Sequence, residues 1–233
     1  MLNSLARRLT AVSSAVCRNA LGAPSARTTL CSLSDSVSHH QRDFSLPNAS
    51  WTQNTRRLYD KYLELSKDGT WKRIASFNSP VHYMGDTPLQ QPAVTTRLFT
   101  RNLDQDGVGF EYCMFYNKAE KRMICIFQPG PYLEGPPGYT HGGCIATMID
   151  TTIGGGVVFK FGRVFTANLS VNFRNPIPLG TTVLIDSQVD KIEGRKVYTS
   201  CQVRSHDGAV VHNDATALFI MVDAYDAKSQ SKL

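Results

Sequence analysis

The chain lacks the signatures of several common site chemistries. Its six cysteines, Cys17, Cys31, Cys113, Cys125, Cys144 and Cys201, form no Cys-x-x-Cys pair and stand at no metal-ligand spacing from a histidine. That excludes a zinc site and a disulfide framework, and no metal is expected; the cysteines read as small apolar residues. Gly154-Gly155-Gly156 is not followed by Gly-Lys-Ser/Thr, so it is no phosphate loop, and its expected use is close packing of a helix on a sheet. There is no alternation of strand and helix of the kind that builds a parallel dinucleotide-binding sheet. No uninterrupted apolar run is long enough to cross a bilayer, so no transmembrane segment is expected. The sequon Asn48-Ala49-Ser50 has no secretory signal to give it meaning.

Acid is missing from one region altogether. The first 34 residues hold four of the 25 Lys and Arg and none of the 19 Asp and Glu, which leaves 21 positive against 19 negative charges beyond them. The body is therefore nearly neutral, and the net charge of +6 does not argue for nucleic acid as a partner. The acid-free stretch is rich in Ser, Ala and Leu. Leu2, Leu5, Ala6 and Leu9 can line one face of a short helix with Arg7 and Arg8 opposite, the pattern of a mitochondrial transit peptide over residues 1–36. The expected location is mitochondrial, in the matrix or against the inner membrane as a peripheral protein, with a cytosolic pool also compatible.

Beyond it the chain divides into an N-terminal linker and helical extension at 37–90, a main domain at 91–224 and a polar tail at 225–233. Residues 35–47 read as a flexible linker. Ser50 followed by Gln53 has the form of a capping box, and Trp51, Thr55, Leu58, Tyr62 and Leu65 follow at helical spacing, with Gly69 to close the helix. That stripe can pack on the main domain or meet a partner. Residues 72–95 are broken by Pro80, Pro88 and Pro92. Strands are expected at 97–101, 109–116 and 122–127, then, after a long helix, at 166–173, 182–192, 196–205 and 210–222, with hairpin turns at Glu193-Gly194 and Asp207-Gly208.

The long helix is the centre of the pattern. It opens at His141-Gly142-Gly143, directly after Glu134-Gly135-Pro136-Pro137-Gly138, which cannot be helical. Ile145, Met148, Ile149, Thr152, Ile153, Gly156 and Val157 fall on one apolar face. Paired glycines leave the first amides of the helix open to a ligand, an arrangement suited to a developing oxyanion. Asp150, nine residues after His141, is a carboxylate in apolar sequence and is expected to be buried for a reason. In the following strand Thr166, Asn168, Ser170, Asn172 and Arg174 alternate with apolar residues, which predicts one polar face, either a solvated sheet surface or a polar cleft beside an interface. The fold class is α+β, an antiparallel sheet wrapped around one long helix.

This order resembles the hotdog-fold acyl-CoA thioesterases. The stretch Phe127-Gln128-Pro129-Gly130-Pro131-Tyr132-Leu133-Glu134-Gly135-Pro136-Pro137-Gly138, then His141-Gly142-Gly143 and Thr166-Ala167-Asn168-Leu169, is similar to the branch of thioesterase superfamily members 4 and 5, over residues 46–222. The resemblance implies hydrolysis of medium- to long-chain fatty acyl-CoA by a homodimer or dimer of dimers, with no cofactor beyond the CoA of the substrate. It implies Asp150 as general base or as nucleophile, and the N–H of Gly142, with Gly143, as oxyanion donors. His141 orients the loop, bonds water or simply packs, and Thr166 positions the water or the carboxylate. Asn172, Arg174, Arg195 and Lys196 become CoA contacts. Shorter relatives carry Asn or Gln shortly before His-Gly-Gly; here that region is Gly135-Pro136-Pro137, which leaves the task to Thr166. Ile145, Met148 and Ile149 could border an acyl tunnel. The branch also implies an alternative, a binding protein that regulates a signalling kinase through the N-terminal helix. A hydratase on this fold would need a differently placed Asp/His pair, which is not found.

Overall fold

A computed structural model describes residues 42–78 and 97–222, all within the compact unit His40–Leu233. The presequence, the polar tail and most of the Pro-broken segment lie outside the described residues. The elements run α1 (Gln53–Leu65), β1 (Trp71–Ile74), β2 (Phe110–Asn117), β3 (Arg122–Pro129), α2 (Gly142–Phe161), β4 (Val164–Phe173), β5 (Val183–Glu193), β6 (Lys196–Ser205) and β7 (Val211–Met221). The strands form one antiparallel sheet in the order β1-β2-β3-β5-β6-β7-β4. Helix α2 packs against β3 to β7. This is the hotdog arrangement, with β4 the edge strand among the described residues.

The apolar face expected for α2 is the one that is buried: Ile145, Met148, Ile149, Thr152, Ile153, Gly156 and Val157. Ile145, Met148 and Ile149 pack in the core against the sheet. The triple glycine brings helix and sheet together, because a Cβ on Gly156 would stand 3.2 Å from Met123 Cβ. By length and composition alone α2 would pass for a membrane span, which the sequence reading had not expected; its place in the core accounts for the apolarity. Strands β2 and β3 are buried on both faces. One face carries Tyr112, Met114, Met123, Cys125 and Phe127 toward α2, and the other carries Cys113, Phe115, Ile124 and Ile126 against α1. That is why both read as unbroken apolar runs.

Several local expectations are corrected. Helix α1 is capped by Thr52, whose side chain accepts from the Thr55 N–H. Ser50 is instead held by the Asn48 side-chain oxygen Oδ1, which accepts from its N–H at 2.9 Å and from its hydroxyl at 2.6 Å. Trp51 precedes the helix, and its indole N–H donates to the buried Glu111 at 2.9 Å. Leu65 is exposed, and Tyr59 joins Leu58 and Tyr62 on the buried stripe. The stripe is therefore committed to the sheet. Residues 97–101 are not a strand: Phe99–Arg101 is a short 3-10 turn, fixed where Arg101 donates to the carbonyls of Phe110 and Tyr112. Strand β1 was not anticipated. The end of the supposed linker is packed, with Phe44 and Ser45 buried and Asp43 accepting from Ser45, Arg73 and Ser76.

Candidate active site

The preceding loop delivers the chain to α2 as a rigid turn. Gly135 N–H donates to Tyr139 O, Gly138 N–H to the Glu134 carboxylate, and Thr140 N–H to Ile177 O. His141 is the N-cap, with extended backbone at φ −62° and ψ 134°. Its Nδ1 accepts from the Gly143 N–H at 2.9 Å, a contact that caps the first turn of the helix. It also removes Gly143 from the expected pair of oxyanion donors. Gly142 is different: its N–H has no acceptor among the described residues. The Phe173 ring lies beside it, 3.6 Å from the place a Gly142 Cβ would take.

Asp150 lies two turns further on, at the β4 side of α2. It is half-buried, not buried as expected, because β4 is the last strand and nothing described lies beyond it. Thr166 Oγ1 donates to Asp150 Oδ1 at 2.8 Å, while Oδ2 has no protein partner among the described residues. This pairing depends on a bulge. Thr166 pairs with Phe219 and Asn168 with Leu218, so Ala167 is an extra residue. The alternation is thereby reversed. Thr166 shares the helix-covered face with Phe219, whereas Asn168, Ser170 and Asn172 lie on the other face. The expected single polar face does not exist, and the bulge is what brings the hydroxyl to the carboxylate.

Asn172 and Arg174 are on the outer side of the sheet, both donating to Asp214, the former at 2.8 Å. Arg174 falls just past the end of β4. They sit at the Gly142 end of the strand. Arg195 and Lys196 sit at the opposite end, in the β5–β6 turn; Lys196, Ile220 and Phe165 form one cross-strand row, next to the row of Thr166. One chain therefore brings together Asp150 and Thr166, with the basic turn about 10 Å along that row. It does not bring Asp150 to Gly142: eight residues of helix separate them, about 12 Å.

Among the described residues no thiol is activated as a nucleophile. Burial pushes the Cys113 and Cys144 thiols up, and those of Cys125 and Cys201 to about 12. No group of three or more His, Cys, Asp and Glu stands ready for a metal among the described residues. The groups left are a carboxylate with one free oxygen, a hydroxyl that orients it, and an unspent helix-start amide. Together they suit attack of water on a carbonyl.

The thioesterase superfamily profile matches residues 137–212, which run from the turn before α2 into β7. An acyl-coenzyme A thioesterase THEM4 of Xenopus laevis is 66% identical over 179 residues, covering 77% of this chain and 80% of the relative. The chain belongs to the acyl-CoA thioesterase family. A THEM5 acyl-coenzyme A thioesterase of Mus musculus is 38% identical over 187 residues, covering 78% of this chain and 75% of its own. Among solved structures, a thioesterase superfamily protein aligns with a TM-score of 0.45 at 21% identity, over 72% of this chain and 79% of that one. The matched region holds every family-implied site residue. One feature beside these residues escaped the sequence, the bulge at Ala167, since a one-residue insertion into a ladder leaves no mark on composition or period.

Proposed function

We propose that this thioesterase hydrolyses medium- to long-chain fatty acyl-CoA to fatty acid and CoA at sites shared between two copies of the chain. The observation that carries the reading is the separation within one chain. The carboxylate and the unspent amide lie on the same helix, too far apart to meet one carbonyl carbon. Two copies joined along β4 in antiparallel sense bring the start of one α2 toward Asp150 of the other. Strand β4 invites such cover: among the described residues it is an edge strand without a second neighbour, and it exposes Phe165 at 66% and Phe173 at 57%. The same joining brings Asn172 and Arg174 of one copy toward Arg195 and Lys196 of the other, a polar and cationic surround for the phosphates of CoA.

In the reaction, Asp150 Oδ2 takes a proton from water as the water oxygen bonds to the thioester carbon. The carbonyl oxygen becomes an oxyanion held by the Gly142 N–H. Collapse breaks the C–S bond, and the departing thiolate takes the proton back from Asp150. Thr166 holds the other carboxylate oxygen, so the free one is set for proton transfer; this favours the base over the nucleophile. The test is turnover of palmitoyl-CoA by the wild type and Asp150→Asn. Loss of most of kcat in a folded variant supports the reading, and an unchanged rate removes it. Comparing palmitoyl-CoA with a short-chain thioester checks the chain-length preference. The mitochondrial address is carried by Arg7 and Arg8; their joint replacement abolishes import if it is correct, and normal import refutes it. A kinase-regulating role gains nothing from α1, whose aromatic stripe is committed to the sheet.

A further inference from the structure

One end of the core holds polar groups with nothing to bond. Asn213 is fully buried, and neither Oδ1 nor Nδ2 has a partner; Thr140 Oγ1, also buried, has none. Buried polar side chains are nearly always paired, and an orphaned one costs stability. Asn213 follows a second bulge, at His212, since Val203 pairs with Asn213 and Arg204 with Val211. Its row runs from Val203, wholly buried in the α2 core, through Asn213 to Phe173 on β4. The carboxamide is thus on the helix-covered face. Phe173, its cross-strand neighbour, is the ring that lies against Gly142. The loop after β4 ties the same end together: Arg174 and Asn175 donate to His212 O, Pro176 O meets His212 Nδ1 at 2.9 Å, and Ile177 O accepts from Thr140.

Two unspent donors, the Gly142 N–H and Asn213 Nδ2, therefore flank one exposed aromatic ring on an edge strand. We propose that Asn213 is a further catalytic residue: Phe173 turns aside as the acyl group enters, and Asn213 Nδ2 donates to the thioester carbonyl oxygen beside the Gly142 amide. A carbonyl oxygen gaining negative charge takes two donors, and its arrival satisfies a group that the empty fold leaves unpaired. The orphaned carboxamide is retained against stability because the substrate supplies its partner. This rests on the reading of Gly142 as oxyanion donor.

The test is Asn213→Leu in the full chain, with kcat, KM and melting temperature measured together. Loss of one such donor lowers kcat about 10²–10³-fold with KM little changed. The melting temperature holds or rises, because an apolar side chain of similar shape replaces an unpaired carboxamide. A purely structural Asn213 gives the reverse, wild-type kcat with a lower melting temperature, and overturns the proposal. Should Asn213→Leu not fold, Asn213→Ala removes the donor without adding bulk or charge and carries the same expectation for kcat and KM. A ketone analogue of acyl-CoA gives a second readout: its carbonyl stretch shifts on binding to the wild type and loses part of that shift in the variant, whereas an unaltered shift overturns the proposal. If Asp150→Asn is inactive while Asn213→Leu keeps full turnover, this inference falls alone. If both keep full turnover, the underlying site reading has failed.

Discussion

Proline at residue 142 is an amide deletion that the fold should accept. Gly142 is the first residue of α2, where proline is favoured because the lost N–H has no intrahelical acceptor. His141 already has the extended backbone required before proline, at φ −62° and ψ 134°. The added Cβ would meet Phe173 at 3.6 Å, an ordinary contact. Gly142→Pro should therefore leave helix content and melting temperature near those of the wild type. Its one chemical effect is to take away the donor assigned to the oxyanion, which costs about 3 kcal/mol in the transition state, or roughly 10²–10³ in kcat. Gly142→Ala is the control. It adds the same Cβ and keeps the N–H, so its kcat should stay within a few-fold of wild type. Steady-state turnover of palmitoyl-CoA by the two variants decides the matter. Equal kcat values in Gly142→Pro and Gly142→Ala would refute the amide's role.

The remaining expectations address the parts around that amide. Thr166→Val removes the hydroxyl that holds Asp150 Oδ1 and should lower kcat about tenfold while KM and melting temperature hold, since hydrogen bonds to charged groups are among the stronger ones; Thr166→Ser should restore most of the rate. Gly130→Ala puts a Cβ 2.3 Å from the Val108 carbonyl carbon and 2.4 Å from Gly107 O. Backbone must shift there, so a loss of about 2–3 kcal/mol is expected, read as a lower urea midpoint. Burial raises the Asp43 carboxyl, but hydrogen bonds from Ser76 and Ser45 and from Arg73 outweigh it and hold the group below its ordinary 3.8. Its contribution is therefore complete above that value and is lost as pH falls through the lower folded value. Urea midpoints between pH 5 and about pH 2 should fall less steeply in Asp43→Asn than in the wild type. Cys144→Ser should leave kcat unchanged, because its half-buried thiol takes no part in the reaction.

Much of the frame was legible because single periodicities dictate it. The buried face of α2 follows from helical spacing through Ile145 to Val157, and the hairpins at Gly194 and Gly208 sit where positive φ is required. Sequence reasoning failed where tertiary contacts decide. Trp71–Ile74 is too short to show a period and is a strand because it pairs with β2. Residues 97–101 read as a strand but form a 3-10 turn fixed by the buried Arg101, whose guanidinium donates to the carbonyls of Phe110 and Tyr112. The cap passed from Ser50 to Thr52 because Asn48 had already engaged Ser50. In the candidate site, Asp150 and Gly142 stood out by residue type and order and Thr166 by the family resemblance, and the structure pairs Thr166 with Asp150. That Gly143 serves His141, and that the Ala167 bulge carries Thr166 to the helix side, are matters of register and geometry that no pattern of residue types encodes.

The central claim is that each site takes its amide from one copy and its carboxylate from another, and mixing two inactive variants tests it directly. Gly142→Pro and Asp150→Asn chains are each expected to be nearly inactive. Dissociated and reassociated at equal amounts, half of the dimers pair one of each. Every such dimer holds one site with an intact Gly142 amide and an intact Asp150, so activity should return to about a quarter of the wild-type value. A mixture with heterodimers demonstrably present, yet no more active than its two components apart, would contradict the account.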